Sequence, residues 1–139
     1  YMFDSKNVLY ILTMLEAIEK IFIYSADFEN EEKFYLANKQ LNFNASVNLL
    51  IAIGEENKKI DEELKTSNKI NWKNLSAMRD KVSHNYRGID ESMVWEIIKD
   101  YLPTLKILLI EMLPKIENSE LYIKEALKTQ YYEELHYLK

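Results

Sequence analysis

Cysteine is absent from the 139-residue chain, and glycine and proline occur twice each. Without cysteine there is no disulfide scaffold, no thiolate metal site and no cysteine nucleophile, which agrees with a reducing, cytoplasmic setting. Four glycines and prolines in all leave too little turn chemistry for a sandwich or barrel of many short strands, so the chain is expected to be mostly helical. Its apolar stretches, around residues 8–15 and 105–113, fall short of the roughly 20 residues needed to span a bilayer. No basic-then-apolar signal segment opens it. What is abundant is apolar and charged surface: 47% hydrophobic and 29% charged residues suit one domain with a single core.

Charge is also scarce in one sense, since the net of -5 disfavours phosphate binding by the molecule as a whole. The distribution is uneven. Residues 69–87 carry Lys69, Lys73, Arg79, Lys81 and Arg87, five positive charges against the single negative of Asp80, a net of +4 that leaves -9 for the rest. A nucleic acid would meet the protein on that strip.

Hydrophobic spacing predicts the helices. Asp4 is a candidate cap for a helix from Ser5 to about Ala26, with Val8, Ile11, Leu12, Leu15, Ile18 and Phe22 on one face. Tyr10, Met14, Ile21 and Tyr24 widen that stripe, as in a central bundle helix. A short helix over Glu31–Lys39 turns Phe34, Tyr35 and Leu36 inward, with a weak break at Asn42–Asn44. A long helix is expected from about Ala45 to Lys65, and Gly54 in its middle predicts the close approach of a neighbouring helix. Asn71 caps Trp72–Asn85, with Leu75, Met78 and Val82 inward, and Arg87 and Gly88 end it. Asp90 caps the next helix, and Pro103 falls where that helix should stop or kink. Pro114 marks a second disturbance, and Asn118 with Ser119 opens a tyrosine-rich amphipathic tail. The expected fold is all-α, a single up-and-down bundle of five or six helices.

Two arginines and two histidines are present, and Arg79 and His84 lie within six residues of each other. On one helix Asp80 and His84 form an i, i+4 pair in which the carboxylate can fix the imidazole tautomer. Arg79 is about 140° from His84 and about 20° from Tyr86 in a regular helix. To aim Arg79 and His84 at one phosphate, the helix must unwind near His84 or two copies of the chain must meet. The chemistry these residues offer needs no metal or cofactor: histidine as general base on a ribose 2′-hydroxyl, arginine against the charge on phosphorus, tyrosine as a positioning group. Lys73, Lys81 and Arg87 are the accompanying RNA contacts. On spacing and composition alone, ordinary groups on a solvated helix face are the favoured reading of Arg79, Asp80 and His84. His136 has no helpful partner at helical spacing, and the carboxylates Glu55, Glu56, Asp61, Glu62 and Glu63 read as solvated faces.

The run Met78-Arg79-Asp80-Lys81-Val82-Ser83-His84-Asn85-Tyr86, followed by Gly88-Ile89-Asp90 and Val94-Trp95-Glu96-Ile97-Ile98, resembles the HepT-like branch of the HEPN superfamily. Ile53-Gly54-Glu55-Glu56, Asn57-Lys58, Ile70-Asn71-Trp72 and Leu102-Pro103 extend the resemblance over about residues 4–115. It implies a homodimeric, metal-independent endoribonuclease that acts as the toxin of a toxin–antitoxin pair. Arg79 and His84 would then be catalytic at a dimer cleft, with Asp80 in the polar position after the arginine. The implied partner is an MntA-like minimal nucleotidyltransferase antitoxin, which silences the toxin by transferring AMP to Tyr86.

The same features suit a non-catalytic nucleotide- or substrate-binding subunit of a nucleotidyltransferase complex, and expression without the partner separates the two. Residues 1–117 are expected to form the HEPN-like domain. Residues 118–139 lie beyond the resemblance and are expected to pack on that domain as a helical extension.

Overall fold

The computed structural model describes residues 2–84 and 90–139, with the backbone alone for Ser83 and His84. The fold is all-α. Its helices are α1 (Asn7–Ser25), α2 (Glu31–Leu36), α3 (Leu41–Glu56), α4 (Glu62–Thr66), α5 (Trp72–His84), α6 (Glu91–Glu96), α7 (Leu102–Met112) and α8 (Ser119–Ala126). Among the described residues, extended pairing is limited to one bridge between Phe3 and Ile116, and no helix is long and apolar enough to cross a membrane.

The wide apolar stripe of α1 has the expected consequence. Val8, Ile11, Leu12, Met14, Leu15, Ile18 and Ile21 are all fully buried, because α3 packs along one side of the helix and α7, α8 and the C-terminal segment along others. Phe34 and Phe43 add an aromatic corner with Trp95. Leu36, expected inward, is instead exposed, because the chain leaves α2 there.

Local polar chemistry sets the helix ends. Asn71 accepts from the Asn74 N–H, and Asp90 accepts from those of Ser92 and Met93, both as the capping rule predicts. Asp4 accepts from Lys6 N–H and so caps the preceding turn rather than α1 itself. Positive φ at Asn38, Lys39 and Gln40 separates α2 from α3, earlier than the Asn42–Asn44 break that the sequence suggests. Asn42 lies inside α3, and its side-chain amide donates to the Tyr24 carbonyl at the end of α1.

The helix expected over 45–65 is broken. A 3-10 turn over Asn57–Lys59 and an extended Ile60 divide α3 from α4. The cause is the buried Asn57, whose side-chain amide donates to the Gly54 carbonyl and so competes with the helical pattern. Gly54 therefore sits in the last turn of α3 rather than mid-helix. Proline acts differently at 103. The segment α6, a π-helical turn over Ile97–Tyr101, and α7 run end to end, so the helix widens where Pro103 lacks an N–H to give.

Beyond Asn118, which takes φ 59° and makes no side-chain cap, α8 gives way to 3-10 structure over Gln130–Leu138. The amphipathic tail is thus α-helical only in its first part, Ser119–Ala126. Leu135 is fully buried, and the Tyr132 hydroxyl lies 3.2 Å from Thr13 Oγ1 on α1.

Candidate active site

Helix α5 owes its rotation to Leu75, Met78 and Val82, which are buried in the core. Lys73, Asp80 and Lys81 are exposed on the far side. Between these faces, Arg79 leans toward α3 with its side chain 40% exposed.

Three residues at the end of α3 place that arginine. A Cβ built on Gly54 would stand 2.7 Å from the Arg79 Cβ and 3.3 Å from its backbone nitrogen, so the two helices touch here only because residue 54 has no side chain. Glu55 sets Oε1 2.6 Å from Arg79 Nε as an ion pair that is not aligned as a hydrogen bond, and Asp80 Oδ1 accepts a hydrogen bond from Nη1 at 3.1 Å. Asn57 accepts a hydrogen bond from the Ser76 hydroxyl at 3.3 Å, one turn before Arg79. Glu55 was read from sequence as part of a solvated face; it is exposed, as that reading has it, but the same carboxylate also pairs with Arg79 and, at 3.5 Å, with Lys58. The available signal was Gly54 itself, since a helix that approaches at residue 54 must also pass residue 55.

The other carboxylates divide. Glu56 pairs with Lys59 at 3.1 Å and Glu62 with Lys65 at 3.7 Å, both i, i+3 pairs with an exposed partner. Asp61 is not a free solvated group. Its backbone N–H donates to Asn7 Oδ1, its carboxylate accepts from Asn7 Nδ2 at 3.1 Å and pairs with Lys6 at 3.2 Å. The Asn7 bond, opposed by burial and aided by Lys6, holds its carboxyl below the usual range. His136 is exposed.

The backbone of α5 stays helical through His84. The His84 side chain, and Tyr86 and Arg87 entirely, lie outside the described residues. In chemical terms the described part offers a cation whose inner edge is braced by two acids and whose side chain still reaches solvent. An arginine held in this way can meet a phosphate without losing its orientation.

An all-α bundle that sets an arginine and a histidine on one helix, the arginine braced from the helix beside it, defines the class of protein. The comparisons with known proteins narrow this. The family described as Ribonuclease HepT-like matches residues 14–112, and the chain belongs to that family. A protein of Thermococcus cleftensis named "Probable ribonuclease HepT" is 34% identical over 98 residues, 70% of this chain and 86% of its own length. A Methanocaldococcus jannaschii protein named "Putative RNase" is 34% identical over 118 residues, 84% of this chain and 93% of its own. A second from that organism with the same name is 35% identical over 104 residues, 74% and 85% of the two chains. No solved structure matches.

Proposed function

We propose that this protein is a metal-independent endoribonuclease and the toxin of a toxin–antitoxin pair, with Arg79 and His84 cleaving RNA at a cleft between two copies of the chain. The observation that carries the reading is the built setting of Arg79, braced by Glu55 and admitted by Gly54, in a chain of a ribonuclease-named family. The continuous helix through His84 keeps residues 79 and 84 about 140° apart in register, which favours the two-copy route over local unwinding. His84 takes the proton from a ribose 2′-hydroxyl, and the 2′-oxygen attacks phosphorus in line. The 5′-oxygen leaves, taking its proton from water, the His84 imidazolium returns its own to solvent, and a 2′,3′-cyclic phosphate remains. Arg79 offsets the charge that builds on the phosphate oxygens. Asp80 supports the arginine, and Lys73, Lys81 and Arg87 hold the strand.

Tyr86 is the site at which the cognate nucleotidyltransferase antitoxin silences the enzyme. Its oxygen attacks the α-phosphorus of ATP, pyrophosphate departs, and an O-AMP-tyrosine is left. The adduct adds an anionic phosphate and a purine beside the catalytic pair, occupying the space and charge that RNA requires.

Two measurements test this. Purified His84→Ala protein should lose RNA cleavage, and its expression should no longer slow growth; unchanged cleavage would overturn the assignment. Intact mass after co-expression with the nucleotidyltransferase should show AMP increments that disappear in Tyr86→Phe.

A further inference from the structure

A groove of about 510 Å³ runs between α5 and the continuous helix formed by α6, the π-helical turn and α7. Met78, Met93, Ile97 and the ring of Tyr101 form its floor, all buried or half-buried. Its rim is polar and unlike on its two sides, with Asn74 and Lys81 from α5 facing Glu96 and Asp100 across the opening. Two features mark it as more than a packing defect. The π-helical turn, a form that occurs frequently at functional sites, supplies Ile97, Asp100 and Tyr101 to it. The Tyr101 hydroxyl is buried and has no hydrogen-bond partner among the described residues, an unmet polar group directly behind the ring that lines the groove.

The chemistry of this lining selects its occupant. Two methionine side chains and a phenol ring suit a flat, polarizable ring. The two carboxylates repel a phosphate from the interior, while a carboxylate accepts well from the amino group on a base edge. Lys81 on the rim suits the backbone phosphate of the same nucleotide. Lys81 precedes His84 by three residues, one turn earlier and about 60° away in helical register, so a base seated here belongs to the strand that His84 would meet.

We propose that this groove binds a nucleobase carrying an exocyclic amino group, one nucleotide from the bond that is cut, and that it gives the enzyme a preference for such bases over uracil. Uracil offers the same acids a single N3–H flanked by two carbonyl oxygens, which the carboxylates repel, and is disfavoured. The placement beside the scissile bond rests on the ribonuclease reading; the binding itself does not.

The test separates them by using full-length His84→Ala protein with methyl-labelled methionines, titrated with the uncharged nucleosides cytidine and uridine. Cytidine should shift the Met78 and Met93 methyl signals while those of the buried Met14 and Met112 stay still, and uridine should need roughly tenfold more for the same shift. The Glu96→Gln, Asp100→Asn double variant, both rim positions exposed, should erase the difference with its Tm unchanged. In the parent enzyme the same variant should flatten the KM difference between oligonucleotides with cytosine or uracil at that position. No shift, or equal shifts for both nucleosides, overturns the proposal. Met78 and Met93 signals that follow protein concentration instead would assign the groove to a second copy of the chain. A parent protein that cuts no RNA while the titration holds removes the ribonuclease reading and leaves the groove as a base site.

Discussion

Gly54 on α3 and Arg79 on α5 meet so closely that a single added carbon would lie 2.7 Å from the arginine Cβ. The opposing atom is a Cβ with backbone just behind it, so it cannot swing aside as the tip of a long side chain could. Gly54→Ala must therefore push α5 away from α3. Overpacking of this kind costs about 1–3 kcal/mol, against a helix-propensity gain of about 1 kcal/mol for alanine over glycine. A net loss of stability in urea denaturation is expected, with a fall in RNA cleavage out of proportion to it because Arg79 itself is displaced. An alanine variant as stable and as active as the parent would show that the contact is not needed.

Glu55→Gln removes the charge that faces Arg79 Nε and leaves the shape intact. Both side chains are two-fifths exposed or more, at 40% and 46%, so the loss in stability should stay below about 1 kcal/mol. The effect should appear in kcat, since a guanidinium with Asp80 as its remaining acidic brace meets the phosphate in more orientations. Steady-state kinetics beside a thermal melt separate this from a structural effect; a kcat equal to that of the parent removes Glu55 from the site.

How far the sequence revealed this arrangement depended on whether a feature was local. Caps at Asn71 and Asp90, and the buried faces of α1 and α5, stem from spacing and side-chain chemistry within a few residues, and the structure bears them out. The close approach at Gly54 was legible too, because an interior glycine needs a reason. The Arg79–Glu55 pair was not, since it joins residues 24 positions apart and nothing in either helix alone names its partner. Asn57 misled for the same reason. Its amide closes α3 because it is buried against Ser76 of another helix, and exposure would have left it an ordinary residue of the expected 45–65 helix. The groove lined by Tyr101 was hidden by the π-helical turn, which shifts the register of Ile97–Tyr101 away from the regular helical period.

Residues beyond the family match behave as part of the fold. Leu135 is fully buried in the main core, although the match ends at residue 112. Leu135→Ala should cost about 2–5 kcal/mol, the range for emptying a buried leucine site, read as a lower urea midpoint with an unchanged m-value. A loss below about 0.5 kcal/mol, typical of a surface change, would mean that the 3-10 segment over Gln130–Leu138 is only loosely applied to α1.

The contact between that segment and α1 also carries a pH dependence, centred on Glu16. Only 5% of Glu16 is exposed. Burial pushes its carboxyl above the ordinary value, with Glu134 adding to the effect and Lys20 and the Tyr131 hydroxyl opposing it. Linkage gives the sign. Below the unfolded value of about 4.5 the group is protonated in both states and costs nothing. As pH rises through the higher folded value, the native state is left holding a charge that burial disfavours, and stability falls. Glu16→Gln should therefore melt above the parent at pH 7, and the gap should close as the pH is lowered toward 4. For a chain of this size 1 kcal/mol corresponds to about 2–4 °C in Tm, so the gap is measurable even when small. Tyr131→Phe should act in the opposite direction, because it removes a bond that favours the charged form, and its deficit should likewise vanish in acid. A Glu16→Gln variant that melts below the parent by the same margin at both pH values would show that the hydrogen bonds to the carboxylate outweigh its burial, and that Glu16 anchors the C-terminal segment rather than straining against it.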